Sequence, residues 1–320
     1  MLEQSQQALN KLKEQNTPFV HLEKTLVIEG QNTLSKKHIF RINNKDRVLF
    51  TEAFEYVTGL QSEETIRQSL CLPTAIGCTM ACRICDLGTF YGGELPKEAI
   101  IQMIERVVDT HTVGWKNPSH IQISYLGGGE PAYNKDILKV LWFVSQKYSG
   151  CSQVLSTVGI DNDFNDRFTD LARDMNVGFQ ISVHCLDDNV RNYIVNIKKI
   201  LNAGRCLNVL EKYHASTGRQ GRMAIVLLEG MNLDKINQQI EERVDKEAIH
   251  ISLQTISKSS TGFPHRTKPL TQYELLRARL ESSGYSVSIY NPPGLEFRGS
   301  CGVASDNLLA RVTPYKKRPR

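Results

Sequence analysis

The segment "CTMACRIC", residues 78–85, places Cys78, Cys82 and Cys85 in a C-x3-C-x2-C arrangement. A structural zinc site would take a fourth ligand from a second short-spaced pair, and the sequence contains no other C-x-x-C. An iron–sulfur cluster of the 4Fe–4S type normally takes four thiolates. Three thiolates leave one iron with an open coordination position, and an open position on a metal is a catalytic site. The spacing therefore predicts a catalytic 4Fe–4S cluster.

Polar residues also stand where predicted strands end. "YLGGGEP", residues 125–131, combines glycines, which let the backbone approach a ligand closely, with Glu130, whose carboxylate can accept from the amino group of a bound amino acid. A plain turn is the alternative interpretation. "STVG" and "SVHC" put Ser156 and Ser182 at the ends of the next two strands, where a strand-end cap is the alternative to a ligand contact.

These groups must be positioned by the elements that carry them. From residue 71 onward, short β-branched segments alternate with longer amphipathic ones, which predicts βα units around a parallel sheet. The predicted strands are "LCLPTAI", "HIQISYL", "QVLSTV", "VGFQISV", "RMAIVLL" and "AIHISLQTI", followed by a last strand, "YSVSIYN". The helical segments are "KEAIIQMIERVVD", "KDILKVLWFVSQKY", "NDRFTDLARDM", "DNVRNYIVNIKKILN", "DKINQQIEERVDK" and "TQYELLRARLESSG". We expect an α/β fold, a partial (β/α)6 TIM-like barrel with its chemistry at the C-terminal ends of the strands.

The barrel is preceded by a shorter region of different pattern. Residues 1 to about 20 are predicted to be helical, and residues 24–58 to form a β-hairpin in which "KHIFRI" turns at "NNKD" into "RVLFTEAF". We therefore expect a small N-terminal accessory region over 1–65, a core with a C-terminal cysteine loop over 66–310, and a basic tail over 311–320.

Composition and charge narrow the function classes. The chain has 320 residues, 40% hydrophobic and 23% charged, which is typical of a globular protein. The N-terminus lacks the apolar run of a signal peptide, and no segment approaches the ~18 apolar residues of a membrane span, so a cytoplasmic protein without a membrane partner is predicted. Thiols stay reduced in that compartment, and the isolated Cys151, Cys185 and Cys206 are expected to be ordinary buried residues.

The net charge of +5 is a mild excess that does not by itself indicate a nucleic-acid partner. Two basic segments, "LSKKHIFRINNKDR" and "YKKRPR", could contact phosphates. Solvated strand ends and an exposed tail are the equally weighted alternative.

The order and separation of these motifs resemble one family. The chain carries "C-x6-CxxxCxxC", "GGGEP", "STVG", "SVHCLDDNVR", "IVLLEGMN" and "GLEFRGSCG". This combination is similar to the RlmN/Cfr-type radical S-adenosylmethionine (SAM) RNA (adenine) methyltransferases over residues 47 to 309. The cysteine and Gly-Glu-Pro motifs occur throughout the radical SAM superfamily, whereas Cys71 and Cys301 in their contexts make the resemblance specific.

The resemblance implies a 4Fe–4S cluster on Cys78, Cys82 and Cys85, and two SAM molecules per turnover. It implies that Cys301 carries a transferred methyl group, and that Cys71 helps to remove the ring proton and then forms a transient disulfide with Cys301. The SAM contacts that it implies are Gly129, Glu130, Ser156, Ser182, Val183, His184 and Ser252. The expected activity is methylation of an adenine ring carbon in rRNA or tRNA, at carbon 2 in preference to carbon 8, with a flavodoxin-like protein as electron donor.

Several positions depart from the family pattern. Ile84 stands where an aromatic residue usually precedes the third cysteine, Ser252 where the family has Asn, and Val303 where it has Gln. The base that the family places in the preceding hairpin could be Glu52 or Glu55, and neither is assigned. Because the region before the barrel is short, a methylase of the same mechanism with a nucleotide or small-molecule acceptor remains the alternative. A non-catalytic iron–sulfur or zinc module is the third possibility.

Overall fold

A computed structural model describes residues 19–30, 33–44, 47–62, 65–110, 117–256 and 263–291, with Ala304 and Leu308. The strands are β1 (Phe19–Gly30), β2 (Thr33–Asn44), β3 (Arg47–Thr58), β4 (Arg67–Pro73), β5 (Ala75–Gly77), β6 (Tyr91–Glu94), β7 (Ile121–Gly128), β8 (Ser152–Thr157), β9 (Val177–His184), β10 (Gly221–Val226), β11 (Ile249–Gln254) and β12 (Val287–Tyr290). The helices are α1 (Lys97–Thr110), α2 (Ile137–Lys147), α3 (Phe164–Ala172), α4 (Asp188–Val195), α5 (Ala203–Thr217), α6 (Leu233–Arg243) and α7 (Leu270–Ser282).

One ten-stranded sheet organises these elements, in the order β1-β2-β3-β4-β7-β8-β9-β10-β11-β12. From β4 to β12 every neighbouring pair in this order is parallel, and each successive connection contains at least one helix. Six such βα crossovers in sequential order confirm the predicted partial (β/α)6 barrel. Strands β5 and β6 form a separate antiparallel pair beside the first crossover.

The strands divide their side chains between two faces. On β7, Ile121, Ile123 and Tyr125 are buried in the main hydrophobic core, whereas Gln122 and Ser124 line a cavity inside the barrel. Successive strand residues point to opposite faces, so the apolar set lies on the outer, helix-covered side. A packed TIM barrel fills its interior with bulky branched residues. Here the inward set is mostly polar and includes several serines, and the interior stays open.

The helices cover the outer face with apolar stripes. In α1 the fully buried Ile100, Met103, Ile104 and Val107 recur at spacings of three and four residues. This spacing places them on one side of a helix, against the outward residues of the first strands. No helix in the described part of the chain is long and apolar enough to cross a bilayer.

The N-terminal extension differs from the prediction. Strands β2 and β3 form the predicted hairpin, with Asn44 opposite Arg47, but β1 pairs with β2 as a third strand that the sequence pattern did not reveal. Its register shifts between Leu22 and Lys24, so that a bulge at Glu23 interrupts the alternation of apolar and polar residues. Residues 1–18, which carry most of the predicted first helix, lie outside the described residues.

The predicted helix over residues 188–202 is also too long. It ends at Val195 because Asn196 adopts a left-handed conformation, with φ 56°, and asparagine is one of the few residues that closes a helix in this way. A second helix, α5, then begins after Asn202, whose side chain accepts from the Arg205 backbone. The crossover between β9 and β10 therefore holds two helices instead of one.

Arg191 in α4 forms hydrogen bonds inside the core with the ends of β8 and β9 and with the segment that precedes α5. Its side chain is fully buried, and its guanidinium donates to the backbone carbonyl oxygens of Val158, Ser182, Val183 and Leu201. These four charge-assisted hydrogen bonds offset the free-energy cost of burying the guanidinium. They also give a donor to carbonyl oxygens at the ends of β8 and β9 and in the α4–α5 connection. Arg191 thus fixes the ends of β8 and β9 relative to the α4–α5 connection.

We expect the substitution Arg191→Met to lower the free energy of unfolding by about 3 kcal/mol or more, because several buried carbonyls lose their donor. Urea unfolding followed by circular dichroism under reducing conditions measures this change. Arg167→Met on α3, where the side chain is 58% exposed, is the matched control and should change stability by less than ~0.5 kcal/mol. A cost below ~1 kcal/mol for Arg191→Met would contradict the assigned role.

Candidate functional site

The open interior of the barrel is one continuous cavity of about 500 Å³. It reaches from the C-terminal ends of the parallel strands down their inward faces, and β3 adds Phe54 and Tyr56 to its wall. The predicted site residues that line it are Cys71, Cys85, Gly129, Glu130, Ser156, Ser182, His184 and Ser252. The barrel therefore brings together residues from six strands and loops that lie up to 181 positions apart in the sequence.

The three clustered cysteines lie in the loop that follows β5. Each is half-buried, the Cys78 sulfur accepts from the Met80 backbone at 3.4 Å, and the Cys85 backbone donates to the Cys82 carbonyl at 3.1 Å. Burial, and then the proximity of Cys82 and Cys85, raises the pKa of Cys78 well above its usual range. Burial raises the pKa of Cys82 as well, with a further contribution from Cys85. The three sulfurs are thus close enough to oppose one another's ionisation.

This donor set fits an iron–sulfur cluster. Thiolates are the ligands of iron–sulfur clusters, and the positive charge of the irons offsets the repulsion between neighbouring sulfurs. In the described part of the chain, no three Cys, His, Asp or Glu side chains converge closely enough to hold a single metal ion. A 4Fe–4S cluster differs from a single ion because each thiolate binds a different iron.

Glu130 is held by three donors at the end of β7. Its carboxylate accepts from the Thr157 hydroxyl, from the Val158 backbone at 3.0 Å and from the Ala132 backbone at 3.1 Å. Burial raises the pKa of Glu130, and these hydrogen bonds oppose that rise. Two carboxylate oxygens have about four acceptor positions, so one position is left for a ligand. Through these hydrogen bonds Glu130 connects the end of β7 to the end of β8. The sequence motifs did not indicate that Thr157 would be one of its partners.

Gly129 must be a glycine for two reasons. Its φ is +81°, and a Cβ there would come within 2.6 Å of the Ala75 Cβ and 2.7 Å of the Thr74 hydroxyl. Both contacts are with protein atoms, so the glycine lets the end of β7 pack against the β4–β5 connection. This close packing brings the "GGGEP" segment beside the cysteine loop.

Three serines present hydroxyl groups to the cavity. Ser156 accepts from the Gln180 amide at 3.0 Å and keeps its own hydrogen to donate. The hydroxyls of Ser182 and Ser252 make no hydrogen bond with any residue that the structure describes. Polar groups in such positions usually have a partner, so open hydroxyls facing a cavity fit a polar ligand.

His184 closes β9 in an unusual conformation. Its φ is +63°, a region that few residues other than glycine occupy, and the pairing of β9 with β10 shifts at the same point. Burial and the nearby Arg191 lower its pKa to about 3, which keeps the imidazole neutral. Its Nδ1 is buried without a hydrogen-bond partner among the described residues. A neutral ring with an orphaned nitrogen at the cavity edge is suited to bind a ligand.

Val183 does not share this environment. Its side chain lies on the opposite face of β9 from Ser182 and is fully buried in the hydrophobic core, while its carbonyl accepts from Arg191 at 2.9 Å. The prediction that Val183 contacts SAM is thus restricted to its backbone.

Of the two cysteines proposed to react, the structure describes Cys71 but not Cys301. Cys71 is buried in β4, opposite Phe54 of β3 and Ser124 of β7 in the sheet register, and it lines the cavity. Cys301 and Val303 lie outside the described residues. Cys151, Cys185 and Cys206 are buried, as expected.

The two unassigned glutamates lie on opposite faces of β3. Glu55 is fully buried and accepts from Gln68 at 2.7 Å, with His38 Nε2 at the same distance from its other oxygen. Glu52 shares the face of Phe54 and Tyr56, because these residues differ by two positions, and it pairs with Lys37 at 3.2 Å. Only Glu52 is therefore on the cavity side of the strand.

Sequence reasoning also missed polar residues in the first half of several strands. Gln122, Gln180 and Arg222 line the cavity, nearer the N-terminal ends of their strands than the sequence motifs described above. The signal that could have found them is the alternation itself, since each stands two or four residues before an inward-facing residue of the same strand.

The chain resembles known proteins in sequence and in fold. Residues 72–243 match the Radical SAM superfamily. The chain is 24% identical over 264 residues to the dual-specificity RNA methyltransferase RlmN of Magnetococcus marinus, covering 80% of this chain and 71% of that protein. It is 26% identical over 287 residues to the probable RlmN of Synechococcus sp. strain CC9311, covering 83% and 81%.

A radical SAM methyltransferase from Sphaerobacter thermophilus has the same fold, with a TM-score of 0.70 and 17% identity over 88% of this chain and 80% of that one. Members of the radical SAM superfamily bind a 4Fe–4S cluster, which the cysteine spacing predicted, and SAM, which the family resemblance implied. Since the superfamily match spans more than half of the sequence, this chain belongs to the radical SAM superfamily, in which it is similar to the RlmN-type methyltransferases.

Proposed function

We propose that this protein is a radical SAM methyltransferase that methylates a ring carbon of adenine in RNA, carbon 2 in preference to carbon 8. The observation that carries the proposal is the barrel cavity, whose wall holds Cys71 together with every residue proposed to contact SAM except Val183. A reactive thiol and a SAM site that share one cavity can act on one substrate.

The chain's own residues have distinct proposed tasks. Cys78, Cys82 and Cys85 would hold the cluster, which would supply the electron for the reductive cleavage of SAM. Gly129 and Glu130 receive the amino end of SAM, and the hydroxyls of Ser156, Ser182 and Ser252 with the neutral His184 complete its polar surroundings. Ile84, which lines the cavity, offers an apolar surface for the adenine.

The ring carbons at positions 2 and 8 of adenine are electron-poor, so they cannot attack the methyl group of SAM directly. We propose that the Cys301 sulfur first accepts a methyl group from one SAM. Cleavage of a second SAM would provide the radical that removes one hydrogen atom from this methyl group, and the resulting methylene carbon bonds to the base. Cys71, as a thiolate, removes the ring proton, which ends on the methylene carbon. The bond between that carbon and the Cys301 sulfur breaks as Cys71 and Cys301 form a disulfide, and the one electron left over would return to the cluster. If a carboxylate assists, Glu52 is better placed than Glu55, because it shares the strand face of Phe54 and Tyr56.

RNA is the proposed acceptor because the relatives named above are RNA methyltransferases. The basic β2 segment adds less support than its composition suggested. Lys37 is 5% exposed and pairs with Glu52, Lys36 lies 3.7 Å from Glu55, and Arg41 pairs with Glu23. Paired cations contribute little to phosphate binding.

The test of the function is anaerobic turnover with total RNA, SAM and a reductant, followed by nucleoside mass spectrometry. We expect 2-methyladenosine from the wild-type protein. Cys301→Ala should abolish it and leave no methyl group on the peptide that contains residue 301. Cys71→Ala should retain the methylated peptide but reduce product at least ~100-fold, because release fails.

Cys151→Ala, at a buried position outside the cavity, is the matched control and should keep most of the activity. Product formation by Cys301→Ala would refute the methylcysteine route. Absence of any methylated adenosine from wild-type protein that holds an intact cluster and cleaves SAM would refute the choice of acceptor.

The cluster assignment predicts that Cys82→Ala loses most of its iron after anaerobic reconstitution, because two thiolates do not retain the cluster. Iron and sulfide analysis with visible absorption measures the loss, and Cys185→Ala, also buried, should reconstitute normally. Equal iron content in the two variants would contradict the assignment.

The geometry of Gly129 predicts that Gly129→Ala weakens SAM binding at least ~10-fold, because the new methyl group displaces the "GGGEP" segment from Ala75. Equilibrium binding of SAM to the reconstituted protein measures the effect. Gly218→Ala separates this steric effect from the backbone effect, because Gly218 has φ +70° and a Cβ added there would meet no atom within 4 Å. Similar SAM affinities for the two variants would contradict the prediction.

A further inference from the structure

The lower part of the barrel cavity contains a cation without a counterion among the described residues. Arg222 is the second residue of β10 and lines the cavity. It makes no hydrogen bond and no ion pair with any residue that the structure describes. Burial lowers the pKa of Arg222, but a guanidinium remains charged in proteins at neutral pH. A half-buried charge normally has a partner, so this guanidinium is available to an anion.

The described wall of the cavity offers no carboxylate to neutralise it. Glu130 is the one acidic residue among the described residues that line the cavity, and it already accepts three hydrogen bonds at the end of β7. Glu52 pairs with Lys37. The neighbours of Arg222 in the sheet register are the neutral Gln180 on β9 and His250 on β11.

His250 holds two serine hydroxyls in place beside the cation. Its two ring nitrogens lie 2.7 Å from the Ser286 hydroxyl and 2.8 Å from the Ser288 hydroxyl. Burial and Arg222 lower its pKa to about 4, so the ring is neutral, donates from one nitrogen and accepts at the other. In the tautomer of His250 that is protonated at Nε2, Ser288 receives this hydrogen and keeps its own to donate. Ser288 lines the cavity.

Arg222 lies away from the amino acid end of the proposed SAM site, whereas Ser288 stands opposite the proposed SAM contact Ser252 in the sheet register. Arg222 precedes Val226, the last residue of β10, by four positions, which corresponds to ~13 Å along a strand. Gly129 and Glu130 lie at the C-terminal ends of the strands, beside the cysteine loop. The cation is thus set deep in the barrel, away from the end at which the amino acid part of SAM is proposed to bind.

We propose that Arg222, with the hydroxyl of Ser288, forms an oxyanion-binding subsite in the floor of the barrel, and that this subsite takes a phosphate or carboxylate group of the methyl acceptor. A planar guanidinium presents paired N–H donors that match two oxygens of either group. The identity of the ligand as the acceptor rests on the proposed function, whereas the oxyanion site itself does not.

Binding of two simple probes to the reconstituted protein tests the subsite. Inorganic phosphate is followed by phosphorus-31 line broadening, and labelled acetate by carbon-13 line broadening. We expect Arg222→Gln to weaken binding of the preferred probe at least ~10-fold, Arg222→Lys to retain binding within ~3-fold, and the surface control Arg167→Gln to leave it unchanged. The probe that binds more tightly identifies the oxyanion as phosphate-like or carboxylate-like.

A second measurement confirms that the variant reports on the cavity. Removing the guanidinium should raise the pKa of His250 from about 4, because a nearby positive charge no longer opposes its protonation. Nuclear magnetic resonance titration of the imidazole measures this shift even if overall stability changes. An unchanged His250 titration, or probe binding that is equal in Arg222→Gln and wild type, would overturn the subsite.

The acceptor is tested separately by competition. The preferred probe should inhibit methylation competitively with the acceptor in the wild type, and should not inhibit Arg222→Gln. Non-competitive inhibition would overturn the assignment to the acceptor. If no RNA is methylated but a probe binds in an Arg222-dependent manner, the proposed function fails while the subsite stands. If RNA is methylated and neither probe binds, the subsite fails alone.

Discussion

The whole site depends on how seven parallel strands divide their side chains between two faces. The outward residues, such as Ile123 on β7 and Phe179 on β9, are buried against helices and supply the apolar burial that stabilises the fold. Because this outer layer forms the core, the inward face can remain polar. Gln122, Gln180 and Arg222 would be costly in a closed barrel, since each polar group would need a partner. An open barrel leaves them in contact with solvent or ligand.

The rim of the barrel is organised by charged groups that act on the backbone. The Arg191 guanidinium donates hydrogen bonds to four backbone carbonyls. The Glu130 carboxylate accepts hydrogen bonds from two backbone N–H groups and one hydroxyl. Each is nearly inaccessible to solvent, so its hydrogen bonds are stronger than at a surface. Together they fix the loops after β7, β8 and β9. The strained conformation of His184 persists because these neighbouring contacts determine it.

The barrel was predictable from the sequence because periodicity, glycine placement and cysteine spacing agreed. The failures have local physical causes. The bulge near Glu23 hid β1, and Asn196 ended a helix whose apolar pattern continued beyond it. The partners of individual side chains were harder to predict from sequence. The lysines of β2 resemble a basic patch in sequence, yet Lys37 is buried against Glu52. The hydrogen bond from Thr157 to Glu130 joins the end of β8 to a residue 27 positions earlier, and no local sequence pattern encodes that distance.

Cys71 lies where the antiparallel and parallel parts of the sheet meet in the wall of the cavity. Cys71 stands on β4, the strand at which the sheet changes from antiparallel to parallel pairing. Its neighbour Phe54 on β3 is cavity-lining, so the antiparallel extension forms a wall of the same chamber instead of a separate lobe. A thiol at this junction is reached from the cluster loop on one side and from the N-terminal strands on the other. Under the proposed function, an acceptor that approaches Cys71 would be enclosed by both parts of the sheet, in the same cavity as the proposed SAM contacts.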